Sequence, residues 1–443
     1  MSSTSVEQTK TTAQNGFGSA GTPPSKTRQS AAGDRLYRVV WRWHFYAGMI
    51  ITLPLIVVAA TGALYIFKDE LEGVLYPGVT YVEPAAERVS YEQQKAAVLA
   101  ASPATAHFVF MQVFANPRRA TSFVMAGATS QYNYVDPYRG KYLGGIELGG
   151  FFDVVLKLHR SLFVGTTGRI VVELTTCWTM VLVATGIYLW WPRKANQLWG
   201  VWLPRLRRKP YILLRDLHTV SGIYLSIVAI VISLTGLIYS YSWGAGFKYA
   251  ATKTEAYAMF SKPMLCKSPP EAKDLPIDRL IEVARDKMPG KTLTIWFPRA
   301  PNGVYLALGG SDYGPTVHEM LFLDRATGEI LDDRYISQTK PVYWLGSWNY
   351  SLHVGSVLGQ PSKWLWLGAC VVLMTSPVTG IWMWWARRPT GSLGLPRRVN
   401  VLRPRWLVAI ITATSVLLPT LGISVVVVLV VEFFMSRLRQ AWA

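Results

Sequence analysis

The feature that most constrains this chain is an apolar run that occurs twice with the same landmarks. Residues 41–70 read WRWHFYAGMIITLPLIVVAATGALYIFKDE. The run is long enough to cross a bilayer. His44 stands at its start, and Thr61-Gly62 follows seventeen residues later. Residues 215–240, RDLHTVSGIYLSIVAIVISLTGLIYS, place His218 and Thr235-Gly236 at the same separation, 174 residues further on. Gly48 and Gly222 each lie four residues after their histidine. That many matches in one register read as an internal duplication.

A second pair of segments repeats at an offset of 194. His159 and His353 are each followed by Thr-Gly-Ile after 26 residues (Thr185, Thr379) and by Trp-Trp after 31 (Trp190-Trp191, Trp384-Trp385). The larger offset means that the second copy carries about twenty extra residues, expected around Tyr249 to Asp274. Four of the six histidines therefore occupy duplicated positions.

The chain is 51% apolar and only 16% charged, which suits a membrane protein. Four spans are expected near 45–67, 170–191, 219–241 and 364–385. A fifth run, Trp406 to Phe434, is interrupted by Pro419 and reads as a kinked span or a re-entrant hairpin. The net charge of +19 invites a nucleic-acid reading, but its distribution argues against it. The basic residues gather in two short connections without acidic residues. One holds Arg193, Lys194, Arg205, Arg207, Arg208, Lys209 and Arg215; the other holds Arg387, Arg388, Arg397, Arg398, Arg403 and Arg405. With Arg35, Arg38 and Arg42, this bias assigns the N-terminus and both loops to the cytoplasm. Three cysteines form no disulfide or zinc pattern.

The expected architecture is an α-helical membrane protein with two small α+β extracytoplasmic modules, each copy contributing two spans and one module. Residues 1–34 read as a disordered cytoplasmic tail and 35–68 as the first span. Residues 69–158 form the first outer module, and 159–192 the second span with its outer histidine segment. A basic loop at 193–216 leads to the third span at 217–243. The second module covers 244–350, the fourth span with its histidine segment 351–386, a basic loop 387–405, and the fifth segment 406–435. Each module reads as one helix (90–101, 276–289) followed by strands. Asp136 to Gly140 and Asp324 to Gly328 align as tight turns.

Two spans per copy give both copies the same orientation, related by a twofold axis along the membrane normal. His44 and His218 then become mates at the inner face, and His159 and His353 mates at the outer face. Opposed imidazoles suit the two axial positions of a haem iron, so two b-type haems are expected, one near each face. Gly48 and Gly222 would admit a flat ring close to the backbone. Each histidine alone also reads as an interfacial cap. A proton relay is a further reading, whereas zinc wants three or four ligands together. Arg169 and Lys363, counterparts near the outer pair, are candidates to hold haem propionates or to snorkel. Glu173, whose counterpart is Leu367, reads as a proton or ligand contact or as a helix-start residue. His107 and His318 have no counterparts and read as ordinary strand residues.

The segments WHFYAGMIITLPLIVVAATGALYIFKDELE and LHRSLFVGTTGRIVVELTTCWTMVLVATGIYLWWPR resemble the PepSY-associated transmembrane family of bacterial inner-membrane proteins. The outer segments resemble its PepSY modules, so the likeness runs from Leu36 to Arg388. Ferrisiderophore reductases of the FoxB type belong to that family. The resemblance implies haem ligation by His44, His159, His218 and His353, and electron transfer across the inner membrane to a ferric siderophore in the periplasm. The siderophore is expected to dock between the outer modules, where Trp296, Tyr305, Tyr313, Trp344 and Trp348 offer aromatic surface or core. No nucleotide-binding motif is present, so a separate cytoplasmic electron donor is expected. The catalytic residues stay unknown beyond the outer haem pair as terminal donor. A non-redox membrane regulator binding a periplasmic partner and a proton-coupled iron or siderophore permease are the alternatives.

Overall fold

A computed structural model describes residues 26–127, 130–147, 149–192, 197–253, 264–310, 319–335, 341–396 and 405–441. Residues 1–25 of the expected tail, the basic residues Arg193, Lys194, Arg397, Arg398 and Arg403, and Tyr313 and His318 lie outside the described residues, as does the Trp344 side chain. Where the tail was expected to be disordered to residue 34, the first helix already begins at Lys26.

Among the described residues, four helices are long and apolar enough to cross a membrane. They are α1 (Lys26–Ile66, its apolar part from Arg35), α5 (Gly165–Trp190), α6 (Pro210–Leu237) and α10 (Gln360–Arg387). Helix α1 packs on α5 and α10, and α6 packs on the same two, so the four close a ring. In each half a short helix precedes the second span. These are α4 (Phe151–Ser161), which lies against α1, and α9 (Pro341–Val354), which lies against α6. The turn from α4 into α5 is tight. Leu162 and Phe163 are both left-handed, and a β-carbon on Gly168 would lie 1.7 Å from the Ser161 carbonyl oxygen. Only glycine fits there.

Beyond this end of the bundle stands a sheet. The first half supplies α2 (Lys68–Leu75), α3 (Tyr91–Ala100), β1 (His107–Val113), β2 (Thr121–Ala126), β3 (Ser130–Val135) and β4 (Tyr142–Glu147). The second supplies α7 (Ser242–Lys253), α8 (Ile277–Lys287), β5 (Thr292–Trp296), β6 (Tyr305–Gly310), β7 (Glu319–Leu323) and β8 (Ile330–Tyr335). Alternating apolar residues bounded by turn residues produce these strands.

The two sets of strands are not separate modules. They form one eight-stranded sheet in the order β4-β3-β2-β1-β5-β6-β7-β8. The seam is the antiparallel pair β1–β5, with Phe110 opposite Trp296 and Val113 opposite Leu293. Backbone hydrogen bonds thus fill the line where a cleft between modules was expected. Tyr305 is buried and Trp296 packs against Phe110 across the seam, 4.7 Å between ring centres with planes tilted by 39°.

Helices α3 and α8 cover one face of the sheet. Met111, Val113, Phe123, Leu293, Ile295 and Leu321 meet Val98, Leu280, Ile281 and Ala284 in the largest core. The two helices cap each other. The Asp278 carboxylate accepts from the Tyr91 and Glu92 amides (2.6 and 3.0 Å), and Glu92 accepts from the Ile277 amide (2.9 Å). A carboxylate at each N-terminus satisfies otherwise unpaired amides and complements the helix dipole.

The aligned turns are alike in detail. Asp136 accepts from the amides of Tyr138 and Arg139, and Asp324 from those of Ala326 and Thr327, with left-handed Gly140 and Gly328 closing each turn. Asp324 takes more donors, because the inserted stretch docks on it. Cys266, the Lys267 and Ser268 amides and the Ser268 hydroxyl all reach its oxygens. Burial alone would raise its carboxyl pKa, but these donors hold it far below the usual carboxylate range.

The fifth apolar run is two helices, α11 (Arg405–Leu417) and α12 (Pro419–Ala441). A β-carbon on Gly422 would lie 2.7 Å from the Ser415 carbonyl oxygen. Seven residues of straight helix would separate them by about 10 Å, so the chain bends sharply at Leu418, while the Leu418 and Gly422 amides still donate to the Thr414 and Leu418 carbonyls. Helix α12 rests on α5, where Trp178 donates to the Ser424 hydroxyl (3.1 Å) and Leu418 and Leu421 bury Cys177.

Candidate functional site

The four duplicated histidines meet in two pairs inside the helix ring. The ring centres of His44 and His218 are 6.4 Å apart, with planes at 76°. Those of His159 and His353 are 6.2 Å apart, with planes at 62°. His44 comes from α1 and His218 from α6; His159 comes from α4 and His353 from α9. Each site thus draws one imidazole from each half.

Every one of these imidazoles rests on a Thr-Gly pair of a neighbouring helix. His44 Nδ1 lies 2.9 Å from the Thr185 hydroxyl and His218 Nδ1 3.1 Å from that of Thr379. His159 Nδ1 lies 3.1 Å from Thr61 and His353 Nδ1 3.1 Å from Thr235. Three of the four also reach the carbonyl three residues before their threonine: Val58 for His159 (2.9 Å), Ser376 for His218 (3.1 Å) and Ile232 for His353 (3.1 Å).

The protons follow from these contacts. Each threonine hydroxyl lies 2.6 to 3.0 Å from the carbonyl four residues back in its own helix, and its single proton is committed there. Its oxygen can then only accept, and a carbonyl can only accept. His159, His218 and His353 are therefore donors through Nδ1–H to a carbonyl, and His44 is assigned the same role because the Thr185 proton is directed to Val181; in the neutral ring the Nε2 lone pair then stays unprotonated. That is the tautomer of a histidine bound to metal through Nε2, oriented by an acceptor on its other nitrogen.

The glycines of the same pairs make room for the rings. A β-carbon would lie 3.2 Å from His159 at Gly62 and 3.0 Å from His353 at Gly236. It would lie 3.5 Å from His44 at Gly186 and 3.9 Å from His218 at Gly380. One turn from the inner histidines, a β-carbon at Gly48 or Gly222 would meet nothing within 4 Å. Residues i and i+4 share a helix face, so open space adjoins both inner imidazoles.

These dimensions fit a haem. A ligating imidazole nitrogen sits about 2 Å from its metal and about 1 Å from its own ring centre. Two axial imidazoles on one iron thus have centres about 6 Å apart, as both pairs do. Among the described residues, no group of three His, Cys, Asp or Glu side chains is placed to hold a metal ion.

The other candidates have different surroundings. Lys363 is buried and pairs with Glu70 at 2.8 Å. Arg169 reaches the carbonyls of Tyr239 and Ser240, both at 3.4 Å. The two counterparts share one contact: Lys363 lies over Phe67 and Arg169 over Tyr241, aromatic residues 174 positions apart. Glu173 is buried and caps α7, accepting from the Ser242 and Trp243 amides (2.7 and 3.2 Å). It is not at a helix start, being the ninth residue of α5. His107 lies exposed at the edge of β1, opposite Ala126.

Sequence reasoning found the histidines but gave the threonines no part. The signal was present, since all four Thr-Gly pairs sit at duplicated distances from the histidines. What was absent was the knowledge of which helix faces which. A family model described as the PepSY-associated TM region matches residues 41–387. No protein of curated function matches the chain.

Proposed function

The chain belongs to the family of PepSY-associated transmembrane regions, and from that premise we propose that it is a di-haem transmembrane reductase. In this reading it carries electrons from the cytoplasmic side of the bacterial inner membrane to a ferric siderophore in the periplasm. The observation that carries the reading is the pair of imidazole pairs, each at the spacing of two axial ligands and each with Nε2 left free.

His44 and His218 would hold one haem, and His159 and His353 the other. When bound, the haems supply a one-electron carrier at each face of the membrane. Helices α1 and α6 set the distance between the sites. His44 and Thr61, which holds His159, are seventeen residues apart on α1, or about 25 Å. Of the basic residues, Arg169 is the better partner for a haem carboxylate, because its contacts are long, whereas Lys363 is already neutralised by Glu70. The basic loops orient the sheet to the periplasm.

The substrate is the ferric siderophore. Since β1 and β5 pair along the seam, it must approach between the sheet and the outer end of the bundle rather than between two modules. One electron converts Fe(III) to Fe(II), which oxygen-donor cages hold less tightly, so the metal is released. The electron donor is a separate cytoplasmic molecule.

The test is absorbance of the purified full chain. A Soret band with about two haems per chain is expected. A preparation without the band after growth with haem supplied defeats the reading. In oriented vesicles with a ferric chelate outside, loss of His353 should stop chelate reduction while the inner haem still accepts electrons.

A further inference from the structure

The four threonines fall into two kinds. Thr61, Thr235 and Thr379 share their imidazole Nδ1–H with a backbone carbonyl. Thr185 does not: its hydroxyl, at 2.9 Å, is the one acceptor that His44 Nδ1 has among the described residues. The carbonyl in the corresponding position, Leu182, lies 3.2 Å from the Thr185 hydroxyl, as the other three lie 3.0 to 3.1 Å from theirs, but it alone makes no hydrogen bond to its histidine. His44 is therefore held by a side chain alone.

Resting on the haem reading above, we propose that the threonines of the four Thr-Gly pairs are positioning residues that fix the histidine tautomer and tune the haems, and that at the inner site Thr185, through His44, has the larger effect. An Nδ1–H that donates to a strong acceptor gives its ring more imidazolate character and makes Nε2 a more basic ligand. A more basic ligand favours the ferric state and lowers the reduction potential. Where a carbonyl backs the threonine, loss of the hydroxyl leaves an acceptor, and tautomer and basicity are largely kept. At Thr185 nothing replaces it. The proton is then free to move to Nε2, the nitrogen that must bind the metal.

The arrangement is built from backbone regularities as well as from side chains. Each hydroxyl is aimed because its own proton is tied to the preceding turn. The following glycine lets the ring lie against the helix. A threonine placed elsewhere on the helix would rotate toward any partner. Serine can reproduce the contact, whereas valine keeps the shape and removes it.

The test is potentiometric titration of the haem-loaded full chain, with reduced-minus-oxidised spectra recorded along it. In a His353→Ala background only the inner haem is present, so its potential is read alone. There Thr185→Val should raise the potential and alter the ferric low-spin spectrum, and Thr185→Ser should restore both. Thr379→Val, acting on the same haem through His218, should shift it less. Thr185→Cys, a weaker acceptor of similar size, should move the potential in the same direction by a smaller amount, and it serves where the valine variant fails to assemble. Haem-loaded Thr185→Val or Thr185→Cys with unchanged potential and spectrum overturns this role and leaves the reductase reading standing. Equal shifts for Thr185→Val and Thr379→Val overturn the ranking. A wild-type chain that binds no haem overturns the reading itself and the role with it.

Discussion

The two halves of the molecule agree inside the helix ring and disagree outside it. Within the ring, each half gives one histidine to each site and one Thr-Gly pair to each pair of imidazoles. On the sheet, the face not covered by α3 and α8 differs between them. In the first half Ser122 pairs with Tyr134 and Val124 with Tyr132; at the same places in the second half Leu306 pairs with Phe322 and Leu308 with Met320. The first half has buried Glu72 paired with Lys68 on α2, whereas the residues 174 positions later are Gly246 and Ser242. Met264 of the inserted stretch packs onto the apolar face of the second half. A site that needs both halves holds them alike. The sheet faces, which each half fills by itself, differ.

The largest expected effect tests the agreement. His44→Ala and His218→Ala should each remove the same haem, and His159→Ala and His353→Ala the other, so that every single variant keeps about half the haem. Haem quantification against protein concentration checks this. If His44→Ala and His159→Ala removed one and the same haem, pairing across the halves would be wrong.

The next effect tests the disagreement. Glu72→Leu leaves a largely buried ammonium at Lys68 without its partner, and the Glu72 side chain is 6% exposed against 32% for Lys68. Breaking such a pair costs about 3 kcal/mol when it is buried and less where solvent reaches one partner. Thermal unfolding should show the loss, and Lys68→Met in the same chain should recover most of it. No counterpart pair exists in the second half, so Ser242→Ala should change little.

A smaller effect separates the outer site from the inner. Gly62→Ala and Gly236→Ala press a methyl group against an imidazole at 3.2 and 3.0 Å, whereas Gly186→Ala and Gly380→Ala meet ordinary contact distances. Overpacking of this kind costs about 1–3 kcal/mol. Retention of the adjoining haem during heating should fall for the first two variants and hold for the second two. Equal losses in all four would show that the glycines serve the helices rather than the rings.

The smallest effect concerns acid. Asp136 and Asp324 both have carboxyl pKa values held below the ordinary 3.8 by hydrogen bonds that outweigh burial, Asp324 the further. A depressed pKa gives stability that is fully present above the unfolded value and is lost as pH falls through the folded one. Sheet stability should therefore decline only below about pH 4. Asp324→Asn should flatten that decline more than Asp136→Asn does. Unfolding followed from pH 7 to pH 2 measures it, and a larger flattening by Asp136→Asn would reverse the assignment.

Much of the fold was legible because its signals are local. Spans read from length and apolarity, strands from alternation, and the aligned turns from Asp and Gly at a fixed separation. The four histidines read from repetition. The seam did not, because Met111 and Val113 of β1 alternate in the same way whichever strand lies beside them. The roles of Thr61, Thr185, Thr235 and Thr379 did not either, because each partner histidine lies 98 to 161 residues away on another element. The bend at Pro419 was expected from the proline, but how sharply the chain turns there is set by the approach of Gly422 to Ser415, which only the folded chain shows.

The seam also sets a schedule for making the protein. Strand β1 ends at Val113, and its partner β5 begins at Thr292. At about 5–20 residues per second, ribosomes need roughly ten to forty seconds to supply the intervening chain. Two spans must enter the bilayer in that interval, and β5 must then pass to the side where β1 already waits. Until it arrives, the first four strands present an unpaired edge at Phe110 to Val113, the kind of surface that captures foreign strands. The nascent first half should accordingly be held by a chaperone on the sheet's side of the membrane, or be cut by protease when synthesis is halted after α6. A stalled chain whose first half resists protease as well as the finished protein does would show that the half-sheet closes without its partner.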